Sequence, residues 1–241
     1  LVHYILSFRS SCYLQGIQAL QLKAKYETAS SDSEKQGFVQ QLQTMLGDGV
    51  TPSVQLTAAH VFLASDLKKE ALQCVHLGTT MEHISCAMQL YLQVDRIDLA
   101  QQQLAQLKRA DEESILTQLS GVQLALATGS FAAKDALHSL NQLSEQYGPS
   151  TFLLNLMACA CLQQGQYAMA EQRLEQARQE FSANDADTLC NLIVACQYQD
   201  KPTAPLVAEL KSRFPSHFLA KGLEIVEGAF ERESIKYRVT A

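Results

Sequence analysis

From Thr151 to Ser182 the chain reads TFLLNLMACACLQQGQYAMAEQRLEQARQEFS. This stretch predicts an apolar helix, a turn at Gln164-Gly165-Gln166-Tyr167, and a second helix from Ala168 to Glu180. Leu154 supplies bulk on the first helix. Ala158 and Ala170 are small, so the two helices can approach closely. Gly165 permits the positive φ that ends a helix without a Cβ penalty. Tyr167 follows the turn and Ala177 sits late in the second helix.

That order of small, glycine and aromatic positions resembles the tetratricopeptide pattern, a 34-residue helix-turn-helix repeat. The same frame recurs upstream with Ile84, Met88, Tyr91, Ile97, Ala100, Leu104 and Leu107, and Asp95 takes the glycine position. Another copy has Gly129 at its turn, Phe131 after it and Ala136 in its second helix. Asp66 and Ala71 mark a further copy, and a last one begins near Asp187, with its turn at Asp200-Lys201-Pro202. The second-helix alanines fall at 71, 100, 136 and 170, spaced by 29, 36 and 34 residues. The expected fold class is therefore all-α, an α-solenoid of tetratricopeptide-like helix-turn-helix repeats. Residues 1–50 read as less regular repeat helices, continuous with the repeats of 51–241 as one solenoid. In that first part Leu14 to Glu27 and a segment ending near Leu46 read as helices. Ser31 with Glu34 resembles a capping box, Gly47-Asp48-Gly49 ends the second helix, and Thr51-Pro52 restarts the chain.

Composition agrees with helices and narrows function. Of 241 residues, 47 % are hydrophobic and 18 % charged, with 11 Gly, 5 Pro and no Trp. Net charge is −6 and no Lys/Arg run exceeds two, so a phosphate-binding surface and nucleic-acid binding are not expected. The most apolar window, Phe152 to Leu162, is too short to insert in a bilayer. The start Leu1-Val2-His3-Tyr4 lacks the basic end of a signal peptide and an initiator Met, which reads as upstream residues removed or not included. Seven cysteines without a CxxC pair lie on apolar helical patterns and suit a reducing, cytoplasmic setting.

Catalytic and metal motifs are not found. Cys74, His76, His83 and Cys86 are the best metal-like group, but Cys74 and His76 are two apart on one helix and point away from each other. Cys159 and Cys161 share the problem. Asp111-Glu112-Glu113 and Asn184, Asp185 and Asp187 read as residues that stabilise helix starts. No cofactor and no enzyme activity are expected.

In stacked repeats the first helix of each lines a groove, with positions 2, 5, 9, 12 and 13 facing it. Those positions hold Ser53, Leu56, His60, Leu63 and Ala64; then Glu82, Ser85, Gln89, Leu92 and Gln93. They continue as Leu116, Leu119, Gln123, Leu126 and Ala127; then Phe152, Asn155, Cys159, Leu162 and Gln163. The last repeat adds Asp187, Cys190, Val194, Gln197 and Tyr198. None is Lys or Arg, so a carboxylate clamp for an acidic tail is not expected. The candidate partner contacts are Leu56, His60, Leu63, Gln89, Leu92, Leu119, Gln123, Leu126, Phe152, Asn155, Leu162, Val194 and Tyr198. Such a wall suits an apolar strand, hairpin or helix of a protein partner.

Several segments in order resemble the epsilon subunit family of coatomer, the COPI vesicle coat. Leu92 to Ala100 resembles its DRxDLA segment and Asp111 to Leu119 its DEDxTLTQL. Pro149 to Asn155 and Asp187 to Val194 are similar to its SPTLLLLN and ETLxNLIV. Lys201-Pro202, Ser216 to Lys221 and Phe230-Glu231-Arg232 continue the order. Family members begin with a further repeat that this chain lacks, and Ala29 to Gly49 matches loosely. The resemblance implies a non-catalytic coat subunit that binds the C-terminal region of the alpha subunit and, through it, the beta-prime subunit. It implies work in Golgi-to-endoplasmic-reticulum and intra-Golgi transport, in the cytoplasm and peripherally on Golgi membranes. The alternatives are a generic repeat adaptor for an apolar segment, and an enzyme on a helical repeat frame such as a prenyl-transferase-like subunit.

Overall fold

A computed structural model describes residues 2–47, 50–181 and 185–237, with side chains from residue 14 onward. Asp48, Gly49, Ser182 and Asn184, and the side chain of Cys12, lie outside the described residues. Thirteen α-helices and no strand occur among the described residues.

The chain divides into two compact units, Leu1–Ala127 and Thr128–Ala241. The first holds α1 (Val2–Thr28), α2 (Asp32–Met45), α3 (Pro52–Ala64), α4 (Lys68–Val75), α5 (Met81–Gln93), α6 (Ile97–Ala110) and nearly all of α7 (Ile115–Thr128). The second holds α8 (Ser130–Tyr147), α9 (Thr151–Gln163), α10 (Tyr167–Glu180), α11 (Ala186–Gln197), α12 (Ala204–Arg213) and α13 (Phe218–Ser234). Its last element is a 3-10 turn, Ile235–Tyr237. Helix α1 is longer than the expected Leu14 to Glu27, and α10 starts one residue before Ala168. Ser31 Oγ accepts from the Glu34 amide at 3.2 Å, as the capping reading requires. Thr51 precedes Pro52 in extended backbone but makes no side-chain cap. Its hydroxyl bonds Ser53 Oγ at 3.1 Å instead, leaving Pro52 to start α3 by its fixed φ.

Four of the five repeat turns follow one geometry, and Gly129, with φ +118° and ψ −172°, departs from it as the N-cap of α8. Gly165 has φ +71°, and its amide donates to Leu162 O at 3.1 Å while the Gln166 amide donates to Cys161 O at 2.8 Å. These two bonds make a Schellman motif, which satisfies the last carbonyls of a helix. Asp66, Asp95 and Asp200 have φ 58°, 58° and 55°, and the two donors after each helix repeat the pattern. Aspartate tolerates this left-handed region better than most L residues. A Cβ at Gly165 meets nothing nearer than Tyr167 Oη at 3.9 Å, so Gly165→Ala isolates the backbone cost. It should lower stability by about 1 kcal/mol, and Asp95→Gly should raise it by roughly 0.5 kcal/mol. Urea midpoints check both; a more stable Gly165→Ala contradicts the turn assignment.

The alanines of the repeat frame sit at the helix contacts. Ala71, Ala100, Ala136 and Ala170 are at most 2 % exposed. In the first unit Leu42, Ala58, Val61, Phe62, Ala71, Val75 and Leu90 form one apolar cluster, and Met88, Ala100 and Leu124 form another. In the second unit Ala158, Cys161, Ala170, Leu174 and Leu192 pack together. Leu189, Ile193, Leu210 and Ala220 join α11, α12 and α13.

His83 is a buried polar group in the first unit, 1 % exposed. Its Nδ1 lies 2.8 Å from Thr80 Oγ1, and its Nε2 has no partner among the described residues. Gly78 packs against the ring so closely that a Cβ there would overlap it. Burial holds the imidazole below the ordinary histidine value, against a smaller opposite pull from Glu82. A folded pKa below the unfolded one adds stability that is complete above about pH 6.5 and fades as pH falls toward the folded value. Denaturant midpoints of the wild type should therefore drop below that pH more steeply than those of His83→Gln. Parallel curves would contradict this.

Candidate partner-binding surface

All thirteen expected contact residues reach the surface to some degree. In the first unit His60 is exposed, and desolvation followed by Lys23 holds its imidazole below the ordinary value. Leu56 and Leu63 are half-buried against the core around Phe62, and Leu92 is half-buried against Met88, Ala100 and Leu124. Leu119 and Leu126 on α7 are also half-buried. Gln89 Nε2 donates to Gln123 Oε1 at 3.2 Å, so these amides are a pair across α5 and α7. A primary amide has two donors and two lone pairs, and one bond leaves capacity for a partner.

In the second unit Phe152 and Tyr198 stand out, 52 % and 65 % exposed. Tyr198 stacks on Tyr167 with centroids 4.6 Å apart and planes within 5°. Asn155 is tied into the fold. Its Nδ2 donates to Thr188 Oγ1 at 2.6 Å and to Thr151 O at 3.0 Å, and its Oδ1 accepts from Asn191 at 3.1 Å. Leu162 is half-buried against the Ala158–Leu192 cluster, and Val194 is half-buried.

Two residues of the wider groove set turn inward. Ser85 is 3 % exposed and bonds Ser120 at 3.0 Å, because a small hydroxyl fits the α5–α7 contact. Cys190 is 7 % exposed beneath His217. In the metal-like group Cys74 and Cys86 share one apolar cluster, and His83 bonds Thr80. His76 is exposed and bonds Gln73 O, while burial pushes the Cys74 and Cys86 thiols up to about 11. Among the described residues no three His, Cys, Asp or Glu side chains come together to hold a metal. Asp111 Oδ1 accepts from the Glu113 and Ser114 amides, and Asp185 accepts from Thr188 N, as residues at helix starts do.

One polar chain escaped the sequence reading. Cys190 Sγ lies 3.4 Å from His217 Nδ1, and His217 Nε2 lies 3.4 Å from Asp187 Oδ1. The order resembles a nucleophile triad, but burial and then Asp187 and Asp185 push the Cys190 thiol up to about 11. A thiol so raised stays protonated at neutral pH and is a poor nucleophile. His217 Nδ1 also accepts from the Leu219 amide at 3.3 Å, which makes the ring the N-cap of α13.

The sequence reading also missed α13. Phe218, Ile225, Val226 and Phe230 are 76, 70, 65 and 73 % exposed, and Ala220 alone is buried on this helix among the described residues. The apolar spacing of seven, one and four residues is the legible signal, since such a stripe needs cover. On α1, Leu14, Ile17 and Leu20 are likewise more than half exposed. No helix among the described residues is long and apolar enough to cross a membrane.

Known proteins agree with this arrangement at two levels. A solved tetratricopeptide repeat protein from Parabacteroides merdae is similar, with TM-score 0.68 and 15 % identity over 85 % of this chain and 82 % of that one. A chain of the APC/C hetero-tetramer Cut9-Hcn1 matches with TM-score 0.65 and 15 % identity over 89 % of this chain and 45 % of that one. At such identity these likenesses show the fold alone, the expected all-α class of tetratricopeptide-like helix pairs. Sequence relatives carry more. Coatomer subunit epsilon-1 of Arabidopsis thaliana is 32 % identical over 219 residues, 90 % of this chain and 74 % of the relative. Coatomer subunit epsilon of Dictyostelium discoideum is 29 % identical over 222 residues, 89 % of this chain and 73 % of the relative. The family model of the coatomer epsilon subunit matches residues 7–238, through both units and every repeat turn described above. Agreement of that extent goes beyond a shared helical frame: this chain belongs to the coatomer epsilon subunit family.

Proposed function

We propose that this COPI coat subunit is non-catalytic and holds the C-terminal region of the alpha coatomer subunit, tying it to the beta-prime subunit and the rest of the coat. Its place is the cytoplasm and the surface of Golgi membranes, in intra-Golgi and Golgi-to-endoplasmic-reticulum transport. The observation that carries the reading is the exposed, cation-free first-helix face. Phe152 and Tyr198 are more than half exposed on it, and none of the thirteen contact positions is Lys or Arg. An aromatic left in water gains from a partner that covers it.

Each unit offers its own contacts. Leu56, His60, Leu63, Gln89, Leu92, Leu119, Gln123 and Leu126 belong to the first. Phe152, Asn155, Leu162, Val194 and Tyr198 belong to the second. Half-buried leucines supply apolar floor, and the Gln89–Gln123 amides supply bonds to a partner's backbone. A stable complex needs about 1,600 Å² of buried surface.

Co-expression with the C-terminal region of an alpha coatomer subunit, followed by size-exclusion chromatography with light scattering, tests this. A single 1:1 peak supports the reading. Two separate peaks with this chain still helical contradict it and favour a repeat adaptor with another client.

A further inference from the structure

The carboxylate of Asp187 is presented in an unusual way. It is 80 % exposed on the first turn of α11, and its only ion-pair contact among the described residues is His217 Nε2 at 3.4 Å. The Leu219 amide donates to His217 Nδ1 at 3.3 Å, and Cys190 Sγ lies 3.4 Å from the same nitrogen. Nδ1 therefore accepts from the backbone, which leaves Nε2 to donate toward Asp187. The ring thus orients a carboxylate that stays largely open to solvent. Asp185, two residues earlier, is spent on capping α11 through Thr188. No Lys or Arg pairs with Asp187 among the described residues.

The two elements bonded to this turn of α11, α9 and the start of α13, each carry an exposed phenylalanine. Phe218, 76 % exposed, packs on the His217 ring with centroids 4.4 Å apart. On the α9 side Asn155 bonds Thr188, the neighbour of Asp187, at 2.6 Å, and Phe152 lies one turn earlier on α9. The Asp187 charge is felt at Cys159 on the same helix, where after burial it helps to raise the thiol.

We infer that the second unit recognises a lysine or arginine set within an apolar segment of its protein partner, the cation received by Asp187 and the flanking side chains by Phe152 and Phe218. This rests on the first-helix face being the partner surface. The charge sets which segment binds and in which register, and the two phenylalanines supply most of the affinity. Cys190 and His217 are positioning residues: they hold the carboxylate at the first turn of α11.

Asp187→Asn keeps the size and the acceptor for His217 while removing the charge. Titration calorimetry with the C-terminal region of the alpha subunit at 50, 150 and 500 mM salt should show about tenfold weaker binding at the lowest salt and a flatter salt dependence. Phe218→Ala should weaken binding equally at every salt. Unchanged affinity and salt slope in Asp187→Asn, with Phe152→Glu still abolishing binding, overturns the inference and leaves the proposed surface standing. Tighter binding by Asp187→Asn overturns it in favour of an anionic segment. No binding by the wild type overturns both.

Discussion

Phe152→Glu should lower affinity for the C-terminal region of the alpha subunit more than about a hundredfold while leaving the helical content unchanged. Phe152 occupies the second position of α9 and is 52 % exposed, so it contributes to the fold with only part of its ring. Covering the rest removes apolar area from water, and a full phenylalanine side chain is worth roughly 1.5–3 kcal/mol. A glutamate there loses that gain and also has to shed water as the partner closes over it, which costs several kcal/mol without a paired cation. Together these exceed the roughly 2.7 kcal/mol of a hundredfold change. The fold has no reason to suffer. A carboxylate in the first turn of a helix interacts favourably with the exposed amides there, and Ser150 still caps Leu153 at 3.3 Å. Calorimetry and circular dichroism on the same sample decide the matter. Normal affinity with a normal fold would move the contact to the opposite faces, formed by the second helices. Leu119→Glu applies the same logic to the first unit.

The turns and helix contacts were readable because their requirements are local. Asp66, Asp95, Gly165 and Asp200 occupy places where the backbone must be left-handed, and few residue types tolerate that. The buried alanines were readable because one helix crossing admits nothing larger. The surface was harder. Ser85 obeys the groove spacing yet turns toward Ser120, 35 residues away, and no local rule distinguishes a serine facing water from one facing another serine. Asn155 is expected to reach a partner, and two of its three bonds within the chain depend on Thr188 and Asn191, whose approach only packing determines. The Cys190–His217–Asp187 chain joins α11 to the cap of α13, and such a relation has no trace in spacing. The stripe on α13 was legible as periodicity, but the repeat frame, matched on five first helices, gave no template for a sixth.

Phe62→Ala should cost the first unit about 3–5 kcal/mol, enough to consume a large part of an ordinary domain's stability. Phe62 is 1 % exposed and belongs to the cluster of Leu42, Ala58, Val61, Ala71, Val75 and Leu90. It also floors a surface cavity of about 380 Å³ lined by Leu46, Val50, Gln55, Gln73 and Cys74. Removing the ring enlarges that cavity instead of letting the core close, which places the cost at the upper end of the range. The Schellman bond from the Leu67 amide to Phe62 O, 2.8 Å, uses backbone alone and survives. Urea midpoints measure the loss, and Phe62→Leu, which keeps most of the volume, should lose no more than about 1.5 kcal/mol. A loss under about 1 kcal/mol in Phe62→Ala would contradict the assigned core. The two large predictions then separate cleanly. Phe152→Glu removes a contact from a fold that stays intact, so its binding defect persists at low temperature and low denaturant. Phe62→Ala loosens the scaffold under Leu56 and Leu63, so its binding defect must follow the unfolded fraction and recover wherever the first unit is folded.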